Sequence, residues 1–189
     1  MKQYLNLLED VLDNGEHRPD RTGTGTISVF DRHMSFDLED GFPAVTTKKL
    51  AFKTMVGELL WFINGETTIS ELKARTFGDS NADKWTIWTD NQADYLDRLG
   101  VYGTSDDKDD CGHIYGKLWH NEDQFWSVVE RIITNPSDRR LIVNAWLPEI
   151  VNDNLKLALP PCHYGFQFYV RGLDKDPRGT HLDLKWNQR

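Results

Sequence analysis

A run of apolar residues between positions 49 and 64 restricts the fold more than any other feature of this sequence. The apolar side chains recur three and four positions apart, at Phe52, Met55, Val56, Leu59, Leu60 and Ile63. This spacing places them on one face of an α-helix, and Gly65 is suited to end it. We therefore expect a helix here that packs its apolar face on other elements of a folded core.

Other periodic segments predict both helices and strands. Helical spacing occurs over residues 3–14 and 125–134. Strands are predicted over residues 26–38, with a bulge or tight turn near Asp31 and Arg32, and over residues 141–146. Residues 165–170 and 181–186 are predicted to pair, joined by a turn at 174–179. The predicted fold class is α+β, with helices packed on a mainly antiparallel mixed sheet in a single domain, residues 1–189.

Residues 79–112 lack a clear pattern of this kind and are predicted to be mainly loop. We interpret them as a solvated acidic insertion. Their aspartates include Asp94, Asp97, Asp106, Asp107, Asp109 and Asp110.

Composition and charge exclude several classes of protein. The net charge of −8 argues against a general affinity for nucleic acid or anionic membranes. No apolar stretch is long enough to span a bilayer, and the polar N-terminus does not resemble a signal peptide. Because the chain has only two cysteines, a disulfide framework is not indicated, although one bridge stays open. We expect a cytoplasmic protein that binds anions through a local cluster of arginines.

Cys162 follows two prolines and precedes His163 at the start of a predicted strand. It is either a buried structural cysteine or a thiolate nucleophile. His163 is not expected to be its base, because neighbours in a strand point to opposite faces. Zinc ligation by these two residues with Cys111 and His113 is disfavoured, since the spacing matches no common zinc site.

Three arginines and one glutamate are further candidates. Arg21 lies in a Gly/Thr loop that is either a turn or a phosphate clamp, and no Gly-Lys-Ser/Thr follows as in a P-loop. Arg139 and Arg140 are either a solvated pair or part of an anion site. Glu58, inside the apolar helix, lies either on the polar edge or partly buried with a raised pKa, where it could move protons.

Together, these segments resemble the thymidylate synthase family, and they occur in that family's order. The matching motifs are Asp20 to Thr26, Gly41 to Lys48, Glu58 to Phe62, Ile114 to Trp119, Asp138 to Arg140, and Pro161 to His163 followed by Gln167-Phe168. Only the acidic insertion lies outside the match. The departures include Asn91, where many members have a second Trp, and Asn187, where the family usually has Tyr.

The resemblance implies reductive methylation of dUMP to dTMP, with 5,10-methylenetetrahydrofolate as one-carbon and hydride donor and no metal. Cys162 would attack C6 of the base, and Glu58 would assist proton movement. Trp88 would flank the folate. The phosphate would be bound by Arg21 and Arg189, joined by Arg139 and Arg140 from the partner subunit of a homodimer. Tyr115, His163 and Gln188 would line the nucleotide pocket.

The resemblance also implies further chain beyond Arg189, including the Asn that distinguishes uracil from cytosine. We therefore expect the 189-residue chain alone to be inactive or nearly so. Two alternatives stay open. One is a dUMP or dCMP hydroxymethylase on the same fold, and the other is a non-catalytic remnant that only binds nucleotide.

Overall fold

A computed structural model of the chain describes residues 1–20, 23–100, 109–173 and 180–188. The fold class is α+β, as predicted, and the described strand pairs are antiparallel. The chain divides into two compact units, Met1–Phe52 and Lys53–Arg189. Within the described ranges no helix has both the length and the apolar character needed to cross a bilayer.

In its described residues, the first unit contains one α-helix, a short 3₁₀ helix (Leu38–Asp40) and a two-stranded sheet. Helix α1 (Lys2–Asn14) confirms the predicted N-terminal helix. Strand β1 (Glu16–Arg18) pairs with β2 (Thr26–Ser28). The strand predicted over residues 26–38 is therefore wrong beyond Ser28, because β1 offers only three partners and the ladder ends there. The chain bends at Asp31, whose φ of 55° lies in the left-handed region, close to where a bulge or tight turn is predicted.

Within the described ranges, the second unit holds the remaining α-helices, the first of which begins at the boundary residue Phe52, a 3₁₀ helix (Asn121–Asp123) and a three-stranded sheet. The helices are α2 (Phe52–Ile63), α3 (Ile69–Phe77), α4 (Ile87–Leu99), α5 (Tyr115–His120), α6 (Gln124–Thr134) and α7 (Pro148–Val151). The strands are β3 (Ile142–Asn144), β4 (His163–Arg171) and β5 (His181–Gln188), in the order β3-β4-β5. Helices α2 and α6 and the β4-β5 pair confirm the predictions. The predicted turn at 174–179 lies outside the described residues.

Helix α2 forms as predicted, but its buried face differs from the predicted apolar face. Trp61 and Phe62 are buried, whereas Phe52, Leu59 and Leu60 are more than 40% exposed. The large rings of Trp61 and Phe62 pack against Trp88, Tyr115 and Trp119. Aromatic side chains bury more surface than the aliphatic ones on the predicted face, so they decide which side of an almost wholly apolar helix enters the core.

The prediction of a mainly loop segment over residues 79–112 is wrong for the part that forms α4. The Thr86 backbone N–H donates to the Thr89 hydroxyl at the start of this helix, and Gly100 ends it with a φ of 68°. Trp88 and Tyr95 are buried. Their spacing of seven positions puts both on one helical face. The aspartates of α4 occupy its other faces, while Asp106 and Asp107 lie outside the described residues.

Candidate active site

Cys162 lies at the surface, immediately before β4. Pro161 beside it is fully buried, whereas Cys162 is exposed and its thiol is free. The backbone N–H of Cys162 donates to the hydroxyl of Tyr115 over 2.5 Å. A fixed backbone and an accessible sulfur favour the nucleophile interpretation over that of a buried structural cysteine.

His163 faces the interior, unlike Cys162. Its ring stacks on Tyr115 with the centroids 4.1 Å apart, and the Trp186 ring lies at the same distance. The indole N–H of Trp119 donates to Nε2 of His163 over 3.0 Å. Burial lowers the pKa of His163 to about 4. The imidazole is therefore neutral near pH 7 with its Nε2 lone pair occupied, which does not suit a base for the Cys162 thiol.

Glu58 is half-buried on α2 and is held by α4. The indole N–H of Trp88 donates to Oε1 of Glu58 over 2.7 Å. Trp88 itself is only 3% exposed, packed edge-on against Trp61 and Phe62. Little of this indole is open to a ligand, so the predicted contact with folate stays a prediction.

Tyr115 joins the two halves of the site. Its ring meets that of Trp88 at 6.4 Å in an edge-to-face arrangement, and its hydroxyl binds the Cys162 amide. Burial is the main cause that raises the pKa of Tyr115, so the phenol keeps its proton at neutral pH. Gln188 completes the group, since it lies opposite His163 in the β4-β5 ladder. The structure thus connects six of the predicted site residues: Glu58, Trp88, Tyr115, Cys162, His163 and Gln188.

Two of the four arginines that are predicted to bind the phosphate lie within the described residues. Arg139 and Arg140 line a surface concavity with Ser137 and Asp138, between α6 and β3. Arg140 donates two hydrogen bonds to the carboxylate of Asp138, from Nε over 3.0 Å and from Nη2 over 3.2 Å. This hydrogen bonding lowers the pKa of Asp138. Within the described ranges, no hydrogen bond or ion pair links these two arginines to the group around Cys162. The other two, Arg21 and Arg189, lie outside the described residues.

Sequence analysis missed two residues that fix His163. Trp119 supplies the hydrogen bond to its ring, and Trp186 packs on it. The spacing of Tyr115 and Trp119, four positions apart on α5, is a signal that could have placed both rings on one helical face.

The second cysteine lies apart from this chemistry. Cys111 is fully buried, and burial raises the pKa of its thiol. His113 is engaged with the carbonyl oxygen of Lys156, 3.1 Å from its Nδ1. Among the described residues, no three His, Cys, Asp or Glu side chains are grouped to hold a metal ion.

The fold has a counterpart among solved structures. The chain superposes on the crystal structure of thymidylate synthase from T4 phage with a TM-score of 0.85 and 41% sequence identity. The match covers 100% of this chain and 62% of that one. The shared architecture is that of a thymidylate synthase fold.

Sequence comparison gives the same result. The sequence profile described as thymidylate synthase matches residues 2–189, and the chain therefore belongs to the thymidylate synthase family. It is 49% identical to the probable thymidylate synthase of Escherichia phage T5 and 43% identical to the thymidylate synthase of Enterobacteria phage T4. Both alignments cover 100% of this chain, which spans 63% and 62% of the length of these relatives.

Proposed function

We propose that this chain carries the nucleophile and the proton-transfer group of a thymidylate synthase that converts dUMP to dTMP with 5,10-methylenetetrahydrofolate. The observation that carries the proposal is the continuous set of contacts from Glu58 through Trp88 and Tyr115 to Cys162. It connects an exposed thiol to a half-buried carboxylate, which are the two groups that the reaction requires.

The sulfur of Cys162 forms a bond to C6 of the uracil ring. The electron pair of the C5–C6 double bond moves towards O4, and the resulting enolate makes C5 a carbon nucleophile. Attack is made by the thiolate rather than the thiol. The Tyr115 hydroxyl, bound to the Cys162 amide, fixes the backbone from which the sulfur projects. Release of the product requires that the sulfur–C6 bond break again.

Glu58 moves protons during these steps. The proton on C5 must leave after the one-carbon unit has been attached, and O4 must be stabilised while it carries negative charge. A half-buried carboxylate that is oriented by the Trp88 indole suits proton transfer through water. The Trp88 hydrogen bond holds one of the two carboxylate oxygens of Glu58 and leaves the other oxygen for proton transfer.

The folate, when bound, supplies the one-carbon unit and a hydride. Trp85 and Ile87, 61% and 60% exposed and next to Trp88, provide apolar surface on which a flat ring system can pack.

The dUMP phosphate is proposed to bind to Arg21 and Arg189, with Arg139 and Arg140 of the partner subunit in a homodimer. A dianion on a chain of net charge −8 needs several convergent guanidinium groups. The surface concavity at Ser137 to Arg140 supports this role, because both arginines line it. A cytoplasmic location is proposed as well, and the two free thiols fit a reducing compartment.

Covalent capture tests the proposal. The chain is incubated with 5-fluoro-dUMP and 5,10-methylenetetrahydrofolate, and intact mass spectrometry measures the adduct. We expect a ternary adduct on the Cys111→Ser variant and none on Cys162→Ser. Equal adduct on both variants would contradict the proposed chemistry, and no adduct on either would favour the non-catalytic remnant.

Product analysis separates the synthase from a hydroxymethylase. With labelled 5,10-methylenetetrahydrofolate and dUMP, the synthase yields a methyl group, whereas quenching by water yields a heavier product that retains an oxygen. Dihydrofolate appears only in the first case.

A further inference from the structure

The loop that leads to Cys162 is held on its outer side by an arginine of α4. Arg98 donates from Nε to the carbonyl oxygen of Asn154 over 3.1 Å. Its Nη2 donates to the carbonyl oxygens of Leu157 and Ala158, over 3.1 and 3.4 Å. The planar guanidinium is suited to several acceptors at fixed angles, which the ammonium group of lysine cannot match. Arg98 therefore fixes three backbone carbonyls at once.

The same loop is held on its inner side by the segment that enters α5. The Ala158 N–H donates to the Cys111 carbonyl over 2.9 Å, and the His113 N–H donates to the Lys156 carbonyl over 2.8 Å. Leu157 and Ala158 are buried. Only three residues, two of them prolines, separate Ala158 from Cys162. A displacement at Ala158 is therefore passed on to Cys162 with little loss, because proline fixes φ.

Helix α4 thus contacts both ends of the site. Its first turn carries Trp88, which binds Glu58, and its last turn carries Arg98, which binds the Cys162 loop. Arg98 lies ten positions after Trp88 in the α-helix, a rise of about 15 Å. Hydrogen bonds within the helix keep that separation constant.

We propose that α4 is a rigid brace and that Arg98 is a positioning residue, which sets the place of the Cys162 sulfur relative to the Glu58 carboxylate. This inference rests on the proposed roles of those two residues. Arg98 is exposed, so its loss is expected to disturb the loop far more than the stability of the whole unit.

Substitution of Arg98 tests the brace. Arg98→Met removes every donor and retains an apolar stem beside the Tyr95 ring, over which the guanidinium lies at 5.8 Å. Arg98→Lys keeps the charge and one donor group. Arg131→Met is the matched control, since Arg131 also lies in the last turn of its helix. Two measurements are made: hydrogen exchange of the 154–162 backbone, and the rate of 5-fluoro-dUMP capture.

For Arg98→Met we expect faster hydrogen exchange that is confined to residues 154–162. We also expect the rate of 5-fluoro-dUMP capture to fall about tenfold to a hundredfold, which is the effect of misplacing a reacting group by about 1 Å. Arg98→Lys is expected between this variant and the wild type. Exchange that rises equally in all segments, or an Arg98→Met chain that behaves like the Arg131 control, would overturn the positioning role.

The Cys162→Ser variant keeps the two proposals apart. If it abolishes capture while Arg98→Met leaves both measurements unchanged, only the positioning role fails. If Cys162→Ser captures nucleotide as well as the wild type, the proposed function fails.

Discussion

The indole N–H of Trp88 donates to the carboxylate of Glu58 across 2.7 Å, between residues thirty positions apart on different helices. A hydrogen bond to a charged acceptor stabilises a fold by about 1.5–3 kcal/mol. The contact therefore links the stability of the α2–α4 pair to the orientation of the group that is proposed to move protons.

A double-mutant cycle measures this contact. Trp88→Phe and Glu58→Met each remove one partner, and we expect a coupling of about 1–2 kcal/mol in the free energy of unfolding, measured in urea. Trp61→Phe is the control, because the buried indole nitrogen of Trp61 has no hydrogen-bond partner among the described residues. Coupling of Glu58→Met with Trp61→Phe equal to that with Trp88→Phe would contradict the assigned hydrogen bond.

His163 is expected to make the protein less stable in weak acid. Burial lowers its pKa from 6.5 to about 4 in the folded state. Below about pH 6.5 the unfolded chain binds a proton at His163, whereas the folded chain binds it only near pH 4. The free energy of unfolding therefore falls between about pH 6.5 and pH 4, by up to about 3 kcal/mol. The wild type and His163→Gln are compared by urea unfolding at several pH values.

The difference in the free energy of unfolding between the wild type and His163→Gln is expected to shrink in acid, because His163→Gln lacks the titrating group. His33→Gln, at an exposed position, controls for the loss of an imidazole. NMR titration of the His163 ring gives a direct check. A midpoint near 6.5 would mean that the ring is not shielded as described.

The two thiols are expected to differ sharply in reactivity. Cys162 is exposed, whereas Cys111 is fully buried and burial raises the pKa of its thiol. Iodoacetamide at about pH 8.5, near the ordinary pKa of a thiol, should modify only Cys162 in the folded chain and both residues in urea. Peptide mapping identifies the sites. Equal labelling of Cys111 in the folded chain would refute its burial.

Gly112 is expected to tolerate no side chain. Its φ is 72°, and a Cβ there would lie 2.5 Å from the Lys156 carbonyl oxygen and 2.7 Å from the Tyr95 hydroxyl. Gly78 is a matched control with a φ of 80° and nothing within 4 Å of its Cβ position. Gly78→Ala should therefore cost about 1 kcal/mol from backbone strain alone.

Gly112→Ala adds overpacking to the same strain, and we expect about 2–4 kcal/mol in total. Urea unfolding measures both variants. Because residues 111–113 hold the Cys162 loop, the Gly112 variant should also alter the alkylation rate of Cys162. Equal losses of stability for the two alanines would show that the Lys156 and Tyr95 contacts do not restrict this position.

Much of the fold could be predicted because it depends on local patterns. Helices α1, α2 and α6 follow apolar spacing of three and four residues, and the β4-β5 pair follows alternation. Helix α4 was missed because its aspartates resemble a solvated loop, although Trp88 and Tyr95 share a buried face. The buried side of α2 was missed as well. Periodicity does not show which of two apolar faces of one helix packs into the core.

The site divides in the same way. The sequence alone determined the order of the family motifs and the chemical types at Glu58, Tyr115, Cys162 and His163, because motif order and residue type are properties of the chain itself. Tertiary structure decided which groups are in contact. These contacts are the hydrogen bond from Trp88 to Glu58, the hydrogen bond from the Cys162 amide to Tyr115, and the hydrogen bonds from Arg98 to carbonyls 56 to 60 positions away. Such contacts form only after the elements have packed, since hydrogen bonds act over about 3 Å whatever the separation along the chain.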